Sequence, residues 1–392
     1  MMLAMFITSF LLAGTISPQQ QAETPGQVMV RPGGDWKTFV QQARPGQEIL
    51  LMPGLYRASV LEGVKGEPGR PITIRSSSST MPATIVEGET GLKLIDCSHL
   101  HIQGLRIVDA TGTGLEITGR SRTEGVASSR SISIKDVFIG TLIVRSPPVG
   151  LRIDTTDDCT VTGMIIQAPS RTGCRILGST DITLDSCYII AGANTRAVGG
   201  TGIDIGRDVS KLHVHDCRII QPCRTGIRVG PTAPSATGTS EPVRRTHASN
   251  RIQITECGIT NTSCSLALGS CDDVVITNNS FKDATKCFWR VFSFPGTSPY
   301  LGPNNVRFEL NMFTWEVGQI ESFCCIQSGA TFDGIALGRN LFWSAEMPAA
   351  LSVLEPIAGK IQQPQVFDVD PRLDPRGVPG NPEAMEFGIS SR

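Results

Sequence analysis

Ile254-Thr-Glu-Cys257-Gly-Ile259 is followed, 22 residues on, by Ile276-Thr-Asn-Asn279-Ser-Phe281. Both stretches place an apolar residue, two others, a small or amide residue, one more, and an apolar residue again. The pattern runs back through Val214-His-Asp-Cys217-Arg-Ile219, Leu184-Asp-Ser-Cys187-Tyr-Ile189 and Val161-Thr-Gly-Met164-Ile-Ile166. Ile134-Lys-Asp-Val137-Phe-Ile139 and Ile102-Gln-Gly-Leu105-Arg-Ile107 carry it further toward the N-terminus. Phe308-Glu-Leu-Asn311-Met-Phe313 and Leu337-Gly-Arg-Asn340-Leu-Phe342 extend it the other way. Steps of 22 and 23 residues are the shortest, and the 40 between Val214 and Ile254 contain a turn-rich stretch. A fixed unit with insertions borne on loops is the mark of a solenoid.

A second motif falls between these units. It reads Gly114-Leu-Glu-Ile117, Gly150-Leu-Arg-Ile153, Gly173-Cys-Arg-Ile176, Gly202-Ile-Asp-Ile205 and Gly226-Ile-Arg-Val229. Each is a short strand of period two, with apolar residues facing in and one polar residue facing out. Turn-forming Gly, Ser, Asn and Asp separate the motifs, and helical periodicity is absent. Each repeat supplies about three short strands and cannot bury its apolar side alone. The L-x-x-L-x-L signature of leucine-rich repeats is missing. The expected fold is all-β: a single-stranded right-handed parallel β-helix.

Composition agrees. The chain has 392 residues with 41 Gly, 6% aromatic and 18% charged residues, and a formal net charge of −1. Near-neutral charge gives no electrostatic reason to expect nucleic acid as a partner, and 40% hydrophobic residues exclude a disordered chain. Residues 3–16 (LAMFITSFLLAGTI) are apolar but shorter than the roughly 20 residues needed to span a bilayer. With the polar stretch that follows, they predict a signal peptide over residues 1–22. No other segment reaches transmembrane length. The expectation is therefore a monomer without membrane insertion in its mature form, secreted, periplasmic or on the cell surface.

Toward the N-terminus, DWKTFVQQA predicts a short amphipathic helix capped by Asp35. RPGQEILLMPGLYRASV, GRPITIRSSS and ATIVEG follow it. With the repeats, these segments make residues 28–390 resemble the parallel β-helix proteins of the pectin-lyase-like superfamily. The resemblance implies that the helix closes the open N-terminal end and that the P-G-x-x-I-x-L-x-P-G-x-Y run forms the first coil. Residues 118–131 and 230–250 read as loop insertions. This superfamily hosts lyases, hydrolases, epimerases and inert adhesins, so the fold alone does not set the activity.

Twelve cysteines in an exported chain invite a disulfide framework. The repeat suggests otherwise. Its fourth position runs Leu105, Val137, Met164, Cys187, Cys217, Cys257, Asn279, Asn311 and Asn340. In the family it resembles, this position carries an inward ladder of asparagines. Stacked parallel Cβ vectors are poorly aimed for disulfides, so most cysteines are read as small apolar core residues. Cys324-Cys325 and Cys223 are the candidates for exceptions, and no zinc site is expected.

The outward residues of the second motif are Glu116, Arg152, Arg175, Asp204, Arg228 and Ala267. Three arginines around one aspartate form a positive stripe suited to capture of carboxylate or sulfate. The functional reading is an acidic polysaccharide bound along it, with Arg152, Glu116, Arg244 and Arg245 as substrate-binding residues. Lyases of the superfamily use Arg or Lys as base and often Ca²⁺ to neutralise the uronate. The resemblance then implies Arg228 or Arg175 as base for β-elimination, with Asp204 orienting it or holding Ca²⁺. Neither the N-T-D, G-H-G and R-I-K motifs of polygalacturonases nor the extended Asn/Glu/Lys/Arg run of alginate and chondroitin lyases is present, which counts against catalysis of either kind. Of the two, a glycoside hydrolase is the less expected. The alternative is a non-catalytic structural or surface β-helix whose stripe is a solvated charge ladder. His213-x-His215, with Thr183 and Asp185 one repeat back, reads as surface or as a base or metal ligand.

Overall fold

A computed structural model of the chain describes residues 26–389, apart from 124, 142–146, 191–199, 221–223, 232–246, 294–300, 317, 346–353, 355–369 and 375–377. Three long parallel sheets wrap one core. Sheet 1 has twelve strands, from Gln27–Val30 to Ile335–Leu337; sheet 2 has eleven, from Leu55–Arg57 to Leu341–Trp343; sheet 3 has ten, from Ser59–Glu62 to Cys324–Ile326. One coil crosses them in order, as in Thr180–Asp185, Tyr188–Ile190 and Thr201–Ile205. Every strand inside these three sheets therefore pairs with the coils before and after it, which satisfies its backbone groups.

The corners explain the turn-residue composition. The chain leaves sheet 1 through a left-handed residue in successive coils: Asp136, Gly163, Ser186, Asp216, Glu256 and Asn278, at φ between 48° and 65°. It leaves sheet 2 the same way at Asp109, Ala168, Asn261 and Asp283. Short polar side chains tolerate this region because they bond locally to backbone.

The glycine of the second motif has a different cause. A Cβ on Gly173 would lie 2.5 Å from Ile189 Cγ2 and 2.6 Å from the carbonyl oxygen of Gly202. That column of glycines lets sheet 3 approach sheet 2 closely and keeps the lumen narrow. Past Gly226, Ser265 and then Phe288 take the column, and the lumen fills with aromatic rings. Phe281, Phe313 and Phe342 stack with centroids 5.0 and 5.3 Å apart.

The ladder at the fourth position is buried throughout. Asn279 Nδ2 donates to the Ile254 carbonyl at 2.9 Å, Asn311 Nδ2 to Ile276 at 2.8 Å, and Asn340 Nδ2 to Phe308 at 3.3 Å. The thiols of Cys187, Cys217 and Cys257 reach the equivalent carbonyls of Val161, Leu184 and Val214 at 3.5–3.6 Å. The amides also accept, from the backbone N–H of the preceding rung: Asn279 Oδ1 from Cys257 and Asn311 Oδ1 from Asn279. All eleven described cysteines are free, and all but Cys325 are buried. Cys223 lies outside the described residues.

A helix at Trp36–Gln41, capped by Asp35, buries Trp36 and Val40 against the first coils. Of the insertion at 118–131, Arg122–Thr123 and Val126–Ala127 pair as an antiparallel hairpin. Arg122 pins it to the Asp157 carboxylate at 2.8 Å. The signal-peptide reading over residues 1–22 falls outside the described residues.

Candidate functional site on sheet 3

Register brings the stripe together. Glu116 pairs with Arg152, Arg152 with Arg175, Arg175 with Asp204, Asp204 with Arg228, and Arg228 with Ala267. Neighbours are thus one rung, about 4.8 Å, apart. The ladder is longer than the sequence motif showed. Lys93 precedes Glu116, and Arg290 and Cys325 follow Ala267. Lys93 sits in Gly91-Leu-Lys-Leu94, whose final Leu falls outside the motif; Arg290 follows Phe288, which replaces the glycine.

The carboxylates are not simply exposed rungs. Asp204 keeps only 6% side-chain exposure, between Arg175 and Arg228 on the neighbouring rungs. Its Oδ1 accepts from Arg228 Nε at 2.9 Å and its Oδ2 lies 2.7 Å from Arg228 Nη2. Arg175 Nε is 3.6 Å from Oδ2, with its side chain 41% exposed. Arg152 pairs with Asp154 at 2.7 Å and Lys93 with Glu116 at 3.2 Å.

Beyond Arg228 the ladder shrinks to the Ala267 methyl, and an open groove of about 680 Å3 forms there. Four cations line it: Arg224, Arg228, Lys286 and Arg290. No Asp or Glu is among the described lining residues; Thr201, Thr225 and Ser263 add hydroxyls. Arg228 and Arg290 flank the notch two rungs apart, about 9.5 Å. Arg175 and Arg152 lie on the same face outside this groove. Arg244 and Arg245 lie outside the described residues. Arg251 belongs to sheet 1 and lines a different groove with Asp273. The long connection after Val229 ends in a sheet 1 strand, which carries Arg251 away from the stripe.

A family model described as a right handed beta helix region matches residues 135–293. Together with the three parallel sheets, that decides the class. The chain is a right-handed parallel β-helix protein. Its fold fits the pectin-lyase-like superfamily. Among solved structures, the GH136 lacto-N-biosidase from Eubacterium ramulus is similar at TM-score 0.56 and 13% identity, over 85% of this chain and 63% of that one. The alginate lyase from Paenibacillus sp. str. FPU-7 is similar at TM-score 0.48 and 16% identity, over 81% of this chain and 93% of that one. No curated protein matches.

The residues around Asp204 do not fit Ca²⁺, which takes six to eight oxygens. Both carboxylate oxygens of Asp204 already face guanidinium groups. Among the described residues no group of three His, Cys, Asp or Glu could hold a metal ion.

Three thiols border the β-helix groove: Cys264, Cys287 and Cys325. A hydrogen bond with Cys264, together with burial, pushes the Cys287 thiol well up. Burial and then Cys287 push Cys325 up to about 11. At neutral pH these two are thiols, so they do not offset the four cations. The histidine pair lies on sheet 1: His215 Nδ1 meets Asp185 at 2.7 Å and His213 Nε2 meets the Thr255 hydroxyl at 2.8 Å.

Proposed function

We propose that this protein is an exported binder of linear acidic polysaccharide, with the outer face of sheet 3 as its binding surface. The observation that carries the reading is the in-register ladder Arg152–Arg175–Asp204–Arg228–Ala267–Arg290, ending in a groove lined by four cations and no described carboxylate. A linear polymer laid along the axis meets one side chain per rung, and guanidinium groups bind carboxylate or sulfate through paired N–H donors. Asp204 positions Arg228 by engaging two of its donors, which leaves the remaining N–H groups for ligand.

Uronate β-elimination is the reaction this face would support. Cations beside the sugar carboxylate would stabilise charge that develops as the C5 proton leaves. In that step a base takes the C5 proton, the C4–O4 bond breaks as the C4–C5 double bond forms, and the departing oxygen takes up a proton. Arg175, more exposed and more loosely held than Arg228, would be that base only after shedding its own proton. The fold likenesses do not set the activity.

A second reading, a non-catalytic β-helix, is favoured by one observation. Lys93, Arg152, Arg175 and Arg228 each already have a carboxylate within 4 Å. Incubation with alginate, pectate and chondroitin sulfate, with and without Ca²⁺, separates the two. Retention in affinity gels together with ultraviolet-absorbing unsaturated product supports the first in full. Retention without product leaves binding and removes catalysis. No retention by any acidic polymer sinks the proposal and leaves the second reading.

A further inference from the structure

Sheet 1 has an outward face of its own, separate from the charged ladder of sheet 3. Its first outward column reads His101, Ser133, Thr160, Thr183, His213 and Gln253 in register, one residue per coil. Beside it, each coil lifts a left-handed residue that forms a wall: Ser131, Asp158, Asp181, Lys211, Arg251 and Asp273, at φ between 51° and 53°. Floor and wall line two open depressions, of about 500 and about 270 Å3, that share Asp158 and Thr160, the smaller being completed by Glu67, Gly69, Pro71 and His99. They therefore form one trough along the axis. From His101 to Gln253 its floor covers five rung steps, about 24 Å.

We propose that this trough is a second binding site, for a neutral, hydroxyl-rich linear glycan. The floor offers one neutral hydrogen-bonding side chain at every step, a repeat that an extended polymer with hydroxyls on each unit can follow. The wall mixes signs, and its carboxylates already have partners within the molecule, one of them a lysine. Asp158 accepts from the Ser131 hydroxyl at 2.8 Å, Asp181 pairs with Lys211 at 3.2 Å, and Asp273 accepts from Asn305 at 3.4 Å. Among the described lining residues the trough sets Asp158, Asp181, Asp273 and Glu67 against Lys211 and Arg251, whereas the sheet 3 groove has four cations and no carboxylate. An added peptide strand has no anchor, because the backbone groups of these strands pair with the coils on either side. Burial lowers the pKa of both His101 and His213, which keeps the histidines of the floor neutral at physiological pH.

The test is affinity gel electrophoresis of the full chain in barley β-glucan, galactomannan and xylan, with pectate and alginate alongside. The expected result is retardation by at least one neutral polymer. Thr183→Trp, which blocks the middle of the floor, should weaken that retardation at least tenfold and leave acidic-polymer retention unchanged. Gln253→Trp repeats the test at an exposed position, and an unchanged circular-dichroism melt shows that either variant folds. Arg290→Ala should act the opposite way, lowering acidic retention alone. The proposal is overturned if no neutral polymer retards the protein, or if both tryptophan variants bind as the parent does. A parallel fall in acidic retention would also overturn it, since the trough would then not be a separate site.

Discussion

Asn311 and Cys217 occupy the same rung position three coils apart, and their contacts differ in kind. Asn311 donates to the Ile276 carbonyl and accepts from both the backbone N–H and the side-chain amide of Asn279. Cys217 donates weakly to the Leu184 and His215 carbonyls at 3.6 and 3.3 Å. Removing the amide leaves a buried N–H and a buried C=O without partners, so Asn311→Ala should cost about 3 kcal/mol. Cys217→Ala removes one polarizable atom and should cost about 1 kcal/mol. Urea unfolding of the two variants measures the contrast; equal losses would show that the thiol bonds as strongly as the amide. His213 supplies a pH signature. Desolvation, then the His215 charge, lowers its pKa from 6.5. The unfolded chain then takes up that proton at higher pH than the folded one, so stability falls as pH drops below about 6.5 and levels off beneath the folded value. An NMR titration midpoint at or above 6.5 would contradict this.

At the scale of the strand, the glycine motif was readable in sequence although its reason was not. Period two marked the inward residues, but the approach of Gly173 to Ile189 on the neighbouring sheet needs three dimensions. Gly173→Ala should overpack that contact and cost about 2–3 kcal/mol in a thermal melt. Lys93 and Arg290 show the converse limit. The strands that carry them depart from the motif, and parallel register, not sequence spacing, places them in the stripe. The groove was illegible for a related reason: Arg224 and Lys286 lie outside the period-two pattern and join it through the turns that enter sheet 3. Ala267 makes the notch, and its meaning follows from what flanks it. Ala267→Glu would set a carboxylate between Arg228 and Arg290, so acidic-polymer affinity should fall at least tenfold with no loss of melting temperature, the new cross-strand pairs being mildly stabilising.

For the whole molecule, the sequence repeat carries the architecture because each coil contacts only its neighbours. The ladder column was legible for the same reason, and it turned twelve cysteines from presumed bridges into mostly core residues. Alkylation in denaturant without reductant should therefore label at least the eleven described cysteines. In the native state Cys325, half-buried where the others are buried, should react first. Finding most of the thiols oxidised would overturn the ladder reading.

A molecule assembled by stacking is also graduated like a ruler. Ser249 and Cys271 stand in register, so excising residues 249–270 would remove one complete coil and join two ends built to match. Arg228 would then stand one graduation from Arg290 instead of two, about 4.8 Å. The distance between the ladder's binding groups can thus change in whole-coil increments while each group keeps its own strand. Spacing along this face is a quantity that coil insertion or loss adjusts directly, without redesign of any residue that binds.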